Sequence, residues 1–174
     1  MDALHIVFAG LPGAGKTTIA RELAKRLGAA YLRIDSLEHA LAACGAVRLA
    51  DLGPGGYHAA AALAVDNLRN GMTVVTDSVN PWAVTRRLWR DASSRAGARH
   101  VGVEVVCGDV AEHRRRVETR KSDIPGQTLP DWRSVLARGY EPWDAAQVRL
   151  DTAILSPGDA VAIIVEYLAE ISGK

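Results

Sequence analysis

The run Gly10-Leu-Pro-Gly-Ala-Gly-Lys-Thr-Thr18 carries the most specific chemistry in this chain. Gly10, Gly15, Lys16 and Thr17 fall on the spacing G-x-x-x-x-G-K-[ST], the Walker A pattern. A polyphosphate packs several negative charges into a small volume and needs many donors aimed at one place. Glycines let the backbone curl so that successive N–H groups point inward as an anion nest. A helix opening near Gly15 adds its positive end. Lys16 is long enough to reach the β- and γ-phosphates, and the Thr17 hydroxyl is placed to ligate Mg²⁺. Gly10, Leu11, Pro12, Gly13, Ala14, Gly15, Lys16, Thr17 and Thr18 are therefore expected to hold a purine nucleoside triphosphate such as ATP.

Three further groups suit phosphate chemistry. Asp35 follows an apolar run and can cap the helix after it, with Glu38 three residues on, or serve as a base. Asp77 closes the run holding Val74 and Val75, the setting of a Walker B carboxylate that acts on Mg²⁺, usually through water. It also fits an Asx turn ahead of Pro81. In His113-Arg-Arg-Arg-Val-Glu-Thr-Arg120, Arg116 and Arg120 stand four apart and share a helical face, while Arg114 and Arg115 point elsewhere. Such a charge run also reads as a solvated basic face. The Pro/Gly segment that follows, Ile124-Pro-Gly126, is what a closing lid needs, so residues 114–130 are expected to form one.

The elements that position these residues follow from periodicity. Leu4 to Ala9 is a short apolar run without polar alternation, the mark of a strand buried on both faces. Strands are likewise expected at Tyr31–Ile34, Met72–Thr76, Val101–Val106 and, more weakly, Val148–Ile154. Between them lie helices. One carries Ile19, Leu23 and Leu27 and ends at Gly28; another spans 57–70 up to Asn70-Gly71. A third spans 82–96 with Val84, Leu88 and Ala92 on one face. Asp109 and Glu112 open the arginine helix as a capping box, a short helix covers Asp131–Arg138, and Ser156-Pro157 with Asp159 starts the last. Residues 44–56 read as an irregular loop. Strands alternating with helices make βαβ units with right-handed crossovers. The expected fold is α/β: a three-layer α/β/α P-loop fold with a five-stranded parallel sheet and a short helical lid. Ligands of such sheets bind beyond the carboxyl ends of the strands. The Gly10 loop, Asp35, Asp77 and Gly108-Asp109 all sit just after a strand, so four turns should meet at one edge.

Composition narrows the partners. The chain has 174 residues, one domain's worth, 48% hydrophobic and 24% charged, with net charge +1. No global basic field points to nucleic acid or an anionic membrane. No apolar run reaches the ~18 residues of a membrane span. The start, MDALHIVFAG, lacks the basic segment of a signal peptide. Two cysteines, Cys44 and Cys107, exclude a disulfide framework and point to a reducing, cytoplasmic location.

Absent motifs narrow the class. There is no Asn-Lys-x-Asp guanine motif and no Leu-Ser-Gly-Gly signature, and the chain is short for a ring-forming remodelling ATPase. A compact enzyme that moves a γ-phosphoryl group to a second substrate remains. Gly10–Thr18, Asp35, Asp77-Ser-Val-Asn80 and His113–Arg120 together resemble the small P-loop kinases of the nucleoside-monophosphate-kinase-like group. Gluconate and shikimate kinases, chloramphenicol phosphotransferase and the kinase domain of polynucleotide kinase belong to that group. The chain is most similar to bacterial AAA-type kinases with an Asp-x-x-Asn element after the third strand. The order of motifs covers nearly the whole chain.

The resemblance implies roles for these residues. Asp35 would orient or deprotonate the acceptor hydroxyl. Asp77 would act with Thr17 on Mg²⁺, and Arg116 and Arg120 would be lid arginines that stabilise the charge of the transferring phosphoryl group. Lys16 would work with them. Leu155-Ser-Pro-Gly158 would pass the adenine base. Asn80 would fix its loop or touch substrate, and Lys121, Arg133 and Arg138 would contribute around the lid. Trp132, Tyr140 and Trp143 flank the lid, either lining an acceptor pocket or packing.

The acceptor site is expected from residues 36–58 and 80–90, with Arg33, His39, Arg48, Tyr57, His58, Asn80, Arg86 and Arg87 on offer. These cations lean toward an acceptor bearing a phosphate or carboxylate. His39 and His58 do not form a metal site with the cysteines, so Mg²⁺ is expected to rest on Thr17, phosphates and water. The reading is an ATP- and Mg²⁺-dependent phosphotransferase acting on a hydroxyl of a small molecule. A polynucleotide 5′-end kinase, a non-catalytic ATP-binding module and a toxin-like kinase are the alternatives, and the near-zero net charge counts against the first.

Overall fold

The computed structural model describes residues 3–173. Its elements run β1 (Leu4–Ala9), α1 (Lys16–Leu27), β2 (Ala30–Arg33), α2 (Ile34–Ala43), α3 (Gly55–Arg69) and β3 (Val74–Asp77). They continue with α4 (Ala83–Arg95), β4 (Arg99–Val106), α5 (Val110–Thr119), α6 (Trp132–Ala137), β5 (Val148–Asp151) and α7 (Pro157–Ser172). The five strands form one parallel sheet in the order β2-β3-β1-β4-β5. The expected three-layer α/β fold is therefore present.

Alternation along β1 explains the layers. Ile6 and Phe8 face α1 and α7, packing with Ile19, Leu23, Ile164 and Leu168. Val7 and Ala9 face α3 and α4, packing with Ala60, Val65 and Trp89. All four β1 residues are fully buried, and burying Phe8 or Ile6 contributes roughly 1.5–3 kcal/mol each. A strand buried on both sides has no solvent-facing polar side, which is why the run shows no alternation and its one polar residue, His5, is buried as well.

The register brings the turns together. Phe8 pairs with Asp77 and with Val103, and Arg33 pairs with Asp77. The loops after β1, β2, β3 and β4 thus open at one edge, as expected.

Some local expectations shift. β5 ends at Asp151 rather than Ile154, and residues 44–56 hold a 3-10 turn at Leu49–Asp51 and the start of α3 at Gly55. On α4 the buried face is Arg86, Trp89, Ala92 and Ser93, and Val84 is 68% exposed. Trp89 has more apolar area to bury than Val84, and Arg86 finds acceptors inside. Its guanidinium donates to the carbonyls of Asn80, Pro81, Glu141 and Pro142. Asp109 caps α5 by accepting from Ala111 and Glu112 N–H, but Glu112 does not return the bond. Its carboxylate is taken by Arg115 and Arg116 instead. Ser156 and Asp159 form the expected capping box of α7.

Candidate functional site

The loop between β1 and α1 curls through three left-handed glycines. Gly10 has φ 142°, and a Cβ there would lie 2.1 Å from the Val105 carbonyl oxygen. Gly13 has φ 84°, and its Cβ would meet Val117 Cγ2 at 2.5 Å. Only glycine tolerates both the dihedral and the approach. α1 then opens at Gly15 with no side-chain cap and no acidic residue in its first turn. Its N–H groups and positive dipole end are left for an anion.

The loop is tied down from behind by residues far away in sequence. His113 Nε2 donates to the Pro12 carbonyl at 2.9 Å. Thr152 Oγ1 donates to the Ala14 carbonyl at 2.9 Å, with the Val106 carbonyl as alternative acceptor at 3.1 Å. Arg116 donates from Nη1 to Thr152 Oγ1 at 2.8 Å, from Nη2 to the Thr152 carbonyl at 3.0 Å, and from Nε to Glu112 at 2.7 Å.

A polar cleft of about 570 Å³ lies over the loop. Pro12, Gly13, Gly15, Lys16, Thr17 and Thr18 line it, while Gly10, Leu11 and Ala14 do not. Lys16 is 7% exposed and curls back, Nζ donating to the Leu11 carbonyl at 3.3 Å. Burial pushes its ammonium below the ordinary lysine range, opposed by the nearby Asp77 and Asp35 carboxylates.

Asp35 reaches the opposite wall of the same cleft. It does not cap α2, because the helix starts two residues earlier than expected, with Arg33 at the cap and no side-chain bond. The capping-box expectation for Asp35 and Glu38 therefore falls. The Asp35 carboxylate accepts only a long bond from Gln127 Nε2, 3.4 Å away.

Arg116 and Arg120 both line the cleft, but differently from a shared helical face. α5 stops at Thr119, and Arg120 continues in extended backbone. Its Nε and Nη2 are buried without a partner. Burial lowers the affinity of that guanidinium for its proton, while Asp35 restores part of it. Arg116, in contrast, spends its donors on Glu112 and Thr152. Arg114 and Arg115 are exposed and paired with Glu118 and Glu112, as expected of residues pointing elsewhere. Lys121 and Arg138 also line the cleft; Arg133 does not.

Asp77 is 3% exposed and lines neither this cleft nor the cavity beside it. Tyr31 O–H donates to its Oδ2 at 2.8 Å. The Asp77 carboxylate and burial together push the Tyr31 hydroxyl pKa up, burial most. Among the described residues no cluster of three His, Cys, Asp or Glu could hold a metal. A cleft-facing Thr17 hydroxyl, with Asp77 behind Lys16, suits a cation that brings most of its ligands as phosphate and water.

The acceptor-side expectations divide. Arg33 and His39 line the phosphate cleft, and Tyr57 lines a neighbouring cavity. Arg33 is held by Asp123 at 2.8 Å, which also takes Arg21 at 2.6 Å. Arg48 pairs with Asp51 on the surface, Arg86 is spent on carbonyls, and Arg87 and His58 are exposed away from both cavities. Asn80 has φ 49°, its backbone N–H donating to Tyr57 and its carbonyl accepting from Arg86, while its side-chain amide is buried without a partner among the described residues. Trp132 stacks edge-on against His113, Tyr140 donates to Glu104, and Trp143 is core, so these three pack rather than line a pocket. Leu155–Gly158 lines neither cavity.

Sequence reasoning missed Glu38, Gln127 and Thr152 as site residues. Glu38 reads from sequence only as a capping partner, though its i+3 spacing from Asp35 puts both on one face. Gln127 lies in the expected lid and Thr152 in the expected last strand, but nothing local sets either residue apart from its neighbours.

A family model described as an AAA domain matches residues 6–138. No curated protein matches the chain. Among solved structures, the APS kinase CysC of Mycobacterium tuberculosis, in complex with AMPPNP and APS, superposes with TM-score 0.73 at 21% identity, over 97% of this chain and 98% of that one. A sugar kinase from Janibacter sp. HTCC2649 gives 0.67 at 21% identity, over 96% and 95%. A gluconokinase from Sinorhizobium meliloti 1021 gives 0.60 at 18% identity, over 98% of both chains. These likenesses show a P-loop kinase fold.

Proposed function

The chain belongs to the AAA-domain family that spans its residues 6–138, and from that premise we propose that it is an ATP- and Mg²⁺-dependent kinase for a hydroxyl of a small molecule. One observation carries the reading. The uncapped Asp35 carboxylate faces the cleft that also receives Lys16, the α1 N-terminus and the unpartnered Arg120 guanidinium. Donors and cations gather on one side and a free base on the other, which is the division phosphoryl transfer requires.

In this reading the loop amides and Lys16 hold the β- and γ-phosphates, and Arg120 meets the charge on the transferring group. Arg116 holds Thr152 and, through it, the loop. Asp35 takes the proton of the acceptor hydroxyl as that oxygen bonds to the γ-phosphorus and the bond to the β–γ bridging oxygen breaks. Thr17, with Asp77 close to Lys16, would hold Mg²⁺ together with phosphate and water, and the ion would supply charge neutralisation there. The whole chain acts as one catalytic domain in which residues 114–130 form the lid over the nucleotide. The two free cysteines, Cys44 and Cys107, support a reducing cytoplasm as its location.

The test is a screen for γ-phosphate transfer from labelled ATP across sugars, nucleosides and aminocyclitols. Transfer that needs Mg²⁺ and disappears in Lys16→Ala supports the reading. Slow ATP turnover indifferent to Asp35→Asn, with no acceptor found, would replace it with a non-catalytic ATP-binding module.

A further inference from the structure

A second cavity, of about 660 Å³, adjoins the phosphate cleft and shares Asp35, Glu38, Val79 and Arg138 with it. Tyr57, Pro81 and Trp82 add aromatic and apolar surface to its lining. Trp82 is 48% exposed, which leaves its indole open to a ligand. Ser78 lines the same cavity at 5% exposure, its hydroxyl beside that of Tyr57 and without a well-aligned hydrogen bond among the described residues. A buried hydroxyl so weakly satisfied gains from a ligand partner.

The charge of this cavity is the reverse of what its surrounding arginines suggest. Arg86 is consumed by four carbonyls, and Arg48, Arg87 and His58 turn away. Arg138 is the one cation among the described lining residues, against the carboxylates of Asp35 and Glu38. Glu38 accepts no hydrogen bond from the described residues. It nests over α3 because position 56 is glycine: a Cβ there would stand 2.4 Å from Glu38 Oε1. Burial, and then Asp35, push the Glu38 carboxyl above the ordinary glutamate range. A ligand cation or donor beside it would relieve that.

Resting on the kinase reading, we propose that the acceptor is a neutral or cationic hydroxyl compound with an apolar ring face. The ring lies along Tyr57 and Trp82, the reacting hydroxyl meets Asp35, and a further hydroxyl or amino group bonds Glu38 and Ser78. A phosphate, sulfate or carboxylate on the acceptor would face two carboxylates with one guanidinium to offset them. This replaces the anionic acceptor expected from the arginine count.

The test uses three probes on one scaffold: phenyl β-D-glucoside, its carboxylated counterpart phenyl β-D-glucuronide, and its aminated counterpart phenyl 2-amino-2-deoxy-β-D-glucoside. Each is titrated calorimetrically into protein saturated with AMPPNP, so the nucleotide cleft is filled. The aminated probe is expected to bind roughly tenfold or more tightly than the carboxylated one, the scale of one nearby charge pair. Glu38→Gln should erase that preference, and Trp82→Ala should weaken the neutral and aminated probes by similar factors. Equal or tighter binding of the glucuronide overturns the proposal, as does absence of binding by both other probes. The same probes are then incubated with labelled ATP. The expected binding order without transfer keeps the cavity assignment and removes the kinase reading. Transfer to the glucuronide in preference to the others does the reverse.

Discussion

His113 Nε2 and the Pro12 carbonyl oxygen meet at 2.9 Å, although 101 positions separate them in the chain. The contact fastens the helix that carries the arginines to the loop built for phosphate. It also sets the imidazole tautomer, with the proton on Nε2. Val117, one turn further along α5, packs against Gly13 of the same loop. The site is thus clamped by two side chains from a single face of α5.

Replacing that clamp should loosen the nucleotide end first. His113→Ala leaves the Pro12 carbonyl without its partner, at a cost of about 1–3 kcal/mol. We expect a lower melting temperature and weaker ATP binding by calorimetry. His113→Gln, which keeps an N–H donor, should recover part of the binding. Unchanged ATP affinity in His113→Ala would show that the loop holds its shape without the clamp.

Lys16 and Asp35 should separate binding from chemistry. Lys16→Ala should abolish transfer and weaken ATP binding. Asp35→Asn should leave ATP binding intact and lower kcat by about 10²–10⁴, the range of a lost general base. An equal fall in ATP affinity in Asp35→Asn argues against the base assignment.

The two lid arginines should behave unlike each other. Arg120 has buried, unpartnered N–H groups facing the cleft, so Arg120→Ala should lower kcat by about 10²–10³ with little change in KM. Arg116 is spent on Thr152 and Glu112, so Arg116→Ala should raise KM for ATP as well as lower kcat. Steady-state kinetics of both variants decide this, and identical profiles would contradict the division of labour.

Acid should destabilise the fold before its carboxylates titrate. His5 is fully buried in β1, and burial with the nearby His100 lowers its pKa to about 3. Ser93 Oγ gives its proton to the Trp89 carbonyl, so it accepts from Nδ1–H of both His5 and His100. The unfolded chain binds a proton on His5 near pH 6.5, and the folded chain does not until about 3. In that window the unfolded state holds more protons, so stability falls as pH falls. The slope from His5 is about 1.4 kcal/mol per pH unit. His100, lowered to about 4, acts in the same direction. Urea melts at pH 7.5, 6.5 and 5.5 should show the decline, and His5→Val should flatten it. A slope unaltered by that substitution would place the acid sensitivity elsewhere.

Sheet order aside, much of the architecture is legible in local pattern. β1 begins and ends where its apolar run does, because a strand buried on both faces is apolar except where a polar side chain finds a partner inside, as His5 does in Ser93. Gly28 and Asp109 mark helix ends through backbone chemistry that involves only neighbours. The failures are equally physical. Val84 lost the inner face of α4 to Trp89 because burial follows apolar area and available volume, not spacing alone. Arg86 is buried because four carbonyls from other segments happen to converge on it, which no window of sequence displays.

The amino-acid order by itself determined the phosphate loop and the strand-helix alternation. Left-handed glycines, an uncapped helix start and a lysine beside it act within one short segment. Tertiary structure decided which distant groups serve that loop. It brought Thr152 and His113 behind the loop, freed Asp35 from capping, took Arg116 for support and left Arg120 open. It also turned most basic residues out of the second cavity and left Glu38 in it. These outcomes depend on competition for hydrogen-bond partners and buried volume across the sheet, and that competition exists only once the chain is folded.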